Sequence, residues 1–235
     1  MKQTSFARGV RRGLPVGVGY FSVSFGFGAM AASLGIRALD AALISISNLT
    51  SAGQFAGLTL IVAAASLWEI VLTQIIINSR YALMSLALSQ KLDKKVGIFG
   101  RLAIAFVNTD EIFALAMAEP GTLRTSFVMG LASLPVLGWT SGTLLGALAG
   151  SVLPLNIRTA LGVMLYGMFI AIVVPPAKKE RPVLLAVIFA MILSCLFTWV
   201  PSLKTVSAGI SIVVCTVAAA ALCAWLFPIR EEVEA

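Results

Sequence analysis

The chain has 235 residues, 59% of them hydrophobic and only 11% charged, and its mean hydropathy is +1.00. A soluble domain carries about 25% charged residues, so one core cannot absorb this much apolar surface, and lipid is what is left to cover it. The net charge of +7 does not signal nucleic acid, because the basic residues cluster between apolar runs, and the lack of any histidine removes imidazole metal sites, histidine triads and histidine proton relays.

Eight apolar segments follow one another, and most approach or exceed the ~20 residues a helix needs to cross a bilayer. Strands would show short alternating stretches instead, and the sequence has none. The first segment, 14–35, follows Lys2, Arg8, Arg11 and Arg12. That outline, with "AMA" at 29–31, is shared with signal peptides. Its length, its glycines (Gly13, Gly17, Gly19, Gly26, Gly28) and the segments behind it predict a retained first helix. Ser22 and Ser24 suit a helix bordering a cavity as well as a packed one.

The second segment, 41–65, contains "SISNLTSAGQ" at 45–54, where six of ten residues are polar and none is charged. Helix-to-helix hydrogen bonding needs one or two such residues per face. A continuous helix would spread these six towards lipid, so a break near Ser51-Ala52-Gly53 is expected. Freed amides there would point into a cavity, where the positive end of a half-helix suits a carboxylate. The third segment, 67–90, carries Gln74, Asn78, Tyr81 and Ser85 on one stripe, with Glu69, Thr73 and Arg80 beside it. Arg80 sits near mid-segment, where a charge costs about 2.5–3.5 kcal/mol on insertion scales, so it needs a partner. Glu69, near the segment's start, is expected to meet headgroups.

The fourth segment, 97–118, supplies that partner within "FVNTDEIFAL". Asp110 and Glu111 are adjacent, and neighbouring helix positions lie about 100° apart. Either one pairs with Arg80 while the other faces a cavity, or the helix breaks at Asn108-Thr109. One carboxyl in a dry site could carry a proton at neutral pH. A purely structural ion pair would explain one acid and leave the second unaccounted for.

Segments 125–150, 153–174, 182–200 and 205–227 complete the set. "GWTSGTLLGALAG" places Gly138, Gly142, Gly146 and Gly150 at four-residue intervals, a smooth groove for close packing within the chain or against another subunit. Cys195, Cys215 and Cys223 have no metal-binding spacing and are read as small buried hydrophobes.

The basic clusters constrain topology. With the N-terminus inside and eight crossings, the loop 90–101 would face outward despite Lys91, Lys94, Lys95 and Arg101. Making the second and fourth segments re-entrant places that loop, the N-terminus and the loop 175–182 on the cytoplasmic side. The expected fold is therefore a single all-α polytopic domain over 1–235. It has about 6–8 transmembrane helices, with one or two discontinuous or re-entrant segments near 45–56 and 106–113.

Four stretches in consistent order, "GYFSVSFGFGAMAASLG", "SAGQFAGL", "NSRYALMSLALS" and "NTDEIFAL", resemble the successive signatures of the AzlC family, the large membrane subunits of bacterial branched-chain amino acid exporters. The similarity runs over roughly residues 8–170. The resemblance implies a multi-pass protein of the bacterial inner membrane that exports hydrophobic amino acids on an ion gradient without ATP, together with a small four-helix AzlD-type subunit. The family's "SxQFA" falls on Ser51, Gln54, Phe55 and Ala56, its "N-x-R-[HY]" on Asn78, Arg80 and Tyr81, and its "TDE" on Thr109, Asp110 and Glu111. Many members carry histidine at the position of Tyr81 and proline at that of Ser22.

The residues themselves point the same way. A zwitterion needs an anionic group, a cationic group and a dry pocket. Asp110 and Glu111 suit the ammonium or a coupling proton, and the amides near Ser51 to Gln54, or Arg80, suit the carboxylate. Asn78, Tyr81, Asn108 and Thr109 would complete the polar lining, and Phe55, Phe106 and Phe113 the apolar pocket. No cofactor is expected beyond a coupling proton. A channel or a structural subunit of a complex is the alternative, but polar residues clustered in a few segments favour a closed, alternating site. An intramembrane enzyme is left without machinery, since G-x-S-x-G and paired aspartates on separate helices are both missing.

Overall fold

The computed structural model describes residues 5–150, 156, 170 and 173–228. Among the described residues nine helices are defined: α1 (Phe6–Ser33), α2 (Ala38–Ser47), α3 (Ser51–Val62), α4 (Leu67–Lys91), α5 (Ile98–Phe106), α6 (Asp110–Met117), α7 (Thr125–Gly150), α8 (Arg181–Trp199) and α9 (Ala208–Leu226). The described residues contain no strand, only one isolated bridge between Leu92 and Leu123. This is an all-α membrane protein. Helices α1, α4, α7, α8 and α9 are each long and apolar enough to cross a bilayer. The expected segment 153–174 lies outside the described residues, apart from 156, 170, 173 and 174.

The two polar segments are the broken ones. The second segment is two short helices, α2 and α3, and the fourth is α5 and α6. The first break differs from expectation by three residues. It falls at Asn48–Thr50, and Ser51-Ala52-Gly53 already form the first turn of α3. The cause is a cap: Thr50 Oγ1 accepts from Gly53 N at 3.3 Å and Thr50 O from Gln54 N at 2.9 Å, so the helix starts just after the threonine. The second break, Val107–Thr109, falls where the sequence placed it, and Thr109 caps α6 by accepting from Ile112 N at 3.4 Å.

The chain divides into two compact units, Met1–Phe55 with Asn78–Leu165, and Ala56–Ile77 with Tyr166–Ala235. In the first unit α1 and α7 run parallel in a constant register. A Cβ added at Gly138 would strike Gly17 O, at Gly142 Phe21 O, and at Gly146 Phe25 O, all within 2.5 Å; one at Gly150 would stand 2.9 Å from Ala29 Cα. Gly9 and Gly13 of α1 approach Phe127 O and Leu131 O just as closely, at 2.3 and 2.1 Å. Each helix thus supplies most of its glycines along the half where the other supplies bulk, and the four-residue repeat is satisfied within the chain. Helix α1 stops at Gly35, whose φ of +83° only glycine adopts cheaply, with Ile36 N returning to Ala31 O at 3.0 Å.

Both short pairs are hairpins. Ser45, in the last turn of α2, donates to Gln54 Oε1 at 2.9 Å in the first turn of α3, and Phe55 meets Phe27 edge-on with ring centroids 5.1 Å apart. The chain therefore leaves the C-terminal end of α1, dips, and turns back beside it. The pair α5/α6 enters from the opposite end. Gly100 of α5 lies against Thr125 at the start of α7, while the end of α6 returns to Lys91, whose Nζ donates to Met117 O. Leu123 N donates to Lys91 O at 2.9 Å and Asp93 N to Leu123 O at 2.8 Å, fixing the end of α4 beside the start of α7. The loop 92–97 and the start of α1 consequently share one end of this unit, the arrangement that re-entrant segments predict. A core of Leu88, Ile104, Ile112, Phe127 and Leu131 holds the hairpin between α4 and α7.

In the second unit α8 and α9 pair, with Cys223 Sγ 3.6 Å from Pro182 O. Glu69 accepts from Gly209 N at 2.8 Å, so it caps the start of α9 rather than only meeting headgroups. The cysteines correct the sequence reading: Cys195 is exposed and Cys215 and Cys223 are half-buried, because these helices keep most of their surface outward.

Candidate functional site

The tips of the two hairpins meet within the first unit. A cleft of about 220 Å³ lies there, lined by Ser47–Thr50 from the first break, Ala105, Phe106 and Asn108 from the second, and Asn78 and Tyr81 from α4. Asn108 is 4% exposed; its Nδ2 donates to Ser85 Oγ at 3.1 Å and its Oδ1 has no hydrogen-bond partner.

Beside the cleft stands the charged group. Arg80 Nη2 pairs with Asp110 Oδ2 at 2.9 Å, both side chains about half exposed in the chain alone. The guanidinium also lies 5.0 Å from the Tyr81 ring centre and donates to its hydroxyl at 3.2 Å. Glu111 takes another partner, as the 100° spacing requires: the Tyr20 hydroxyl bridges its carboxylate and Thr109 Oγ1, the latter at 2.7 Å. Tyr20 is braced in turn by Trp139 of α7, with ring centroids 5.1 Å apart. Both acids occupy the first turn of α6, where the helix dipole favours negative charge, so the break offsets part of their desolvation. One cation against two carboxylates leaves a formal excess of one negative charge, and a ligand ammonium or a proton would neutralise it.

The site residues named from sequence do not all gather. Asn78, Tyr81 and Asn108 line the cleft, while Thr109, Asp110, Glu111 and Arg80 form the charged group beside it. Ser51 opens α3 next to the lining residue Thr50. Gln54 is fully buried on Ser45, and Ser45 also meets Thr143 Oγ1 of α7 at 2.7 Å. Phe55 does not shape the pocket, because its ring is buried on Phe27, and Phe113 packs into the core behind α6. Of the three phenylalanines only Phe106 reaches the cleft.

Two features escaped the sequence reading. Tyr20 is one, although "GYFS" displayed it. The other is Glu119, 1% exposed, which takes Arg8 and Arg12 at 2.7 Å each and ties the exit of α6 to the start of α1. Those arginines read as topology signals alone; an acid followed by Pro120 at a segment's end was the available hint.

Half-helices whose capped starts meet at one cleft, with an arginine–carboxylate pair at one tip, define a polytopic helical membrane protein with a charged, discontinuous centre. Residues 15–153 match the AzlC protein family, and the chain belongs to it. An uncharacterized membrane protein of Archaeoglobus fulgidus is 32% identical over 77% of this chain and 80% of its own length. Inner membrane protein YgaZ of Escherichia coli K12 is 30% identical over 75% of each. An uncharacterized membrane protein of Helicobacter pylori J99 is 31% identical over 57% of this chain and 59% of its own. No solved structure matches.

Proposed function

We propose that this protein is a secondary transporter, not an enzyme, that exports branched-chain or other hydrophobic amino acids across a bacterial inner membrane, driven by an ion gradient. The observation that carries the reading is Asp110, paired with Arg80 at the tip of a broken helix beside a cleft. Ionisable groups at membrane depth are expensive, and they mark ion and substrate paths. The unbalanced carboxylate suits the substrate ammonium or a coupling proton, and the excess negative charge argues against an anion as the whole cargo. Phe106, Leu49 and Ala105 give the cleft an apolar side for an aliphatic side chain. The N-terminus and the loop 92–97 face the cytoplasm in this reading, since both carry basic residues at the same end of the unit. A small AzlD-type subunit is the expected partner.

The test is leucine counterflow in proteoliposomes, made with the AzlD-type subunit present. Asp110→Asn abolishes counterflow while the protein still inserts and remains monodisperse. Full activity of this variant removes the acid from the mechanism. Flux that rises linearly with leucine and shows no counterflow returns the channel reading.

A further inference from the structure

We infer that α1–α3 and α4–α6 are two inverted copies of one three-helix unit, and that the ligand site is their shared centre, with the start of α3 as its carboxylate-binding half and the start of α6 as its ammonium-binding half. The inference rests on the transporter reading for its ligand but not for its architecture. A single shift of 59 positions, the separation of Thr50 from Thr109, lays α4 (67–91) on residues 8–32 of α1 (6–33), α5 (98–106) on 39–47 of α2 (38–47), and α6 (110–117) on 51–58 of α3 (51–62). No insertion is needed anywhere. From residue 8 to 58 this alignment gives two identities, Leu43 with Leu102 and Thr50 with Thr109, and the threonines are the telling one.

Those two threonines do the same work. Each is the last residue of a three-residue break, and each accepts from the amide three residues on, Gly53 and Ile112, at 3.3 and 3.4 Å. The hairpins enter from opposite ends: α2/α3 follows the C-terminal end of α1, and α5/α6 follows the end of α4 that lies beside the start of α7. Parallel α1 and α7 make that the end where α1 begins. Two copies facing opposite ways, with broken helices at a common level, is the inverted-repeat plan in which ligands bind at the repeat interface.

The copies differ where they face the cleft, and the difference assigns the halves. Ser51 and Ala52 occupy the positions of Asp110 and Glu111. The start of α6 fills its own positive end with two carboxylates; the start of α3 leaves the amides of Ser51 and Ala52 for an outside anion. One buried group independently calls for a ligand: Asn108 Oδ1, in the cleft wall, accepts from nothing. A donor is missing at the second tip, beside the two carboxylates, and the ammonium of an α-amino acid would supply it while its carboxylate lies towards the start of α3.

Two measurements on the full chain, with Cys195, Cys215 and Cys223 replaced by alanine, test this. Arg37→Cys and Lys94→Cys, after α1 and α4, are labelled by an impermeant maleimide from opposite faces of the membrane. Labelling from one face overturns the repeat, and it does so even in a protein that moves no leucine. Ser51→Asp places in α3 the charge that α6 carries. Its leucine dissociation constant rises by roughly tenfold or more relative to Ser51→Ala, because like charges repel the carboxylate. Binding of 3-methylbutylamine, leucine without its carboxylate, changes little. Equal loss of both ligands, or loss of neither, overturns the assignment of halves. Should Ser51→Asp not fold, leucine protection of Leu49→Cys from the same maleimide decides it: protection supports a ligand between the tips and unchanged labelling overturns it.

Discussion

The α1/α7 seam and the α6 tip both lie within the first unit, and they solve opposite problems. The seam is closely packed and uncharged. Its glycines bring two backbones so close that a methyl group at Gly146 would stand 2.1 Å from Phe25 O, and the buried Ser24 donates to Gly138 O at 3.3 Å. In lipid, where no hydrophobic force drives helices together, this close contact is the main source of association. The tip is the reverse: charge is concentrated, the helix is interrupted, and each group is held by a partner from a different helix, Arg80 from α4 and Tyr20 from α1. A smooth seam leaves no freedom, whereas a broken helix with half-exposed ions keeps some. The rigid parallel pair thus acts as the frame on which the two hairpins meet.

The largest effect is expected where the frame is broken. Gly146→Leu must push α1 away from α7 over their whole contact, so monodisperse protein disappears in detergent size-exclusion profiles. Gly19, on the same α1 but with open space around it, tolerates alanine without change. If both variants behaved alike, the seam would not be what holds the unit together.

How much of this was legible in the sequence follows the same division. The four-residue glycine spacing announced a close contact, and only its partner was hidden, because a smooth face does not say what it packs on. The break at Asn108-Thr109 was readable because adjacent acids cannot share one helix face, and the need of Arg80 for a carboxylate followed from its depth. The break before Ser51 lies three residues before the expected one, because Thr50 caps α3 and Gly53 sits comfortably inside its first turn. Tyr20 stayed invisible because its role depends on α1 passing the α6 tip, which no local pattern encodes. Glu119 looked like a loop acid; its burial arises from two arginines distant in the chain. The repeat left almost no shared residues, because equivalent positions in the two copies face different neighbours.

A smaller effect is expected from loosening the tip without removing charge. Tyr20→Phe keeps the ring on Trp139 and deletes the hydroxyl that bridges Thr109 and Glu111. The melting temperature in detergent should hardly move, while leucine counterflow falls by about tenfold, the scale of one lost hydrogen bond to a charge. A large melting shift with normal counterflow would make Tyr20 part of the frame instead of the tip.

The smallest effect belongs to the uncharged hairpin. Ser45 joins Gln54 of α3 to Thr143 of α7, and all three side chains are fully buried. Hydrogen bonds between membrane helices average about 0.6 kcal/mol, because the partners find substitutes when separated. Ser45→Ala removes two such bonds but leaves Gln54 and Thr143 facing each other across the space of one hydroxyl. The expected melting shift is a few degrees at most, with counterflow retained. Ser45→Val, which fills that space with carbon, should be worse, since it blocks any direct pairing of the two groups left behind. If alanine proved as damaging as valine, the polar contact itself would hold the α2/α3 hairpin on α7, and the contrast between a frame built by shape and a tip built by charge would have to admit a third region built by hydrogen bonds.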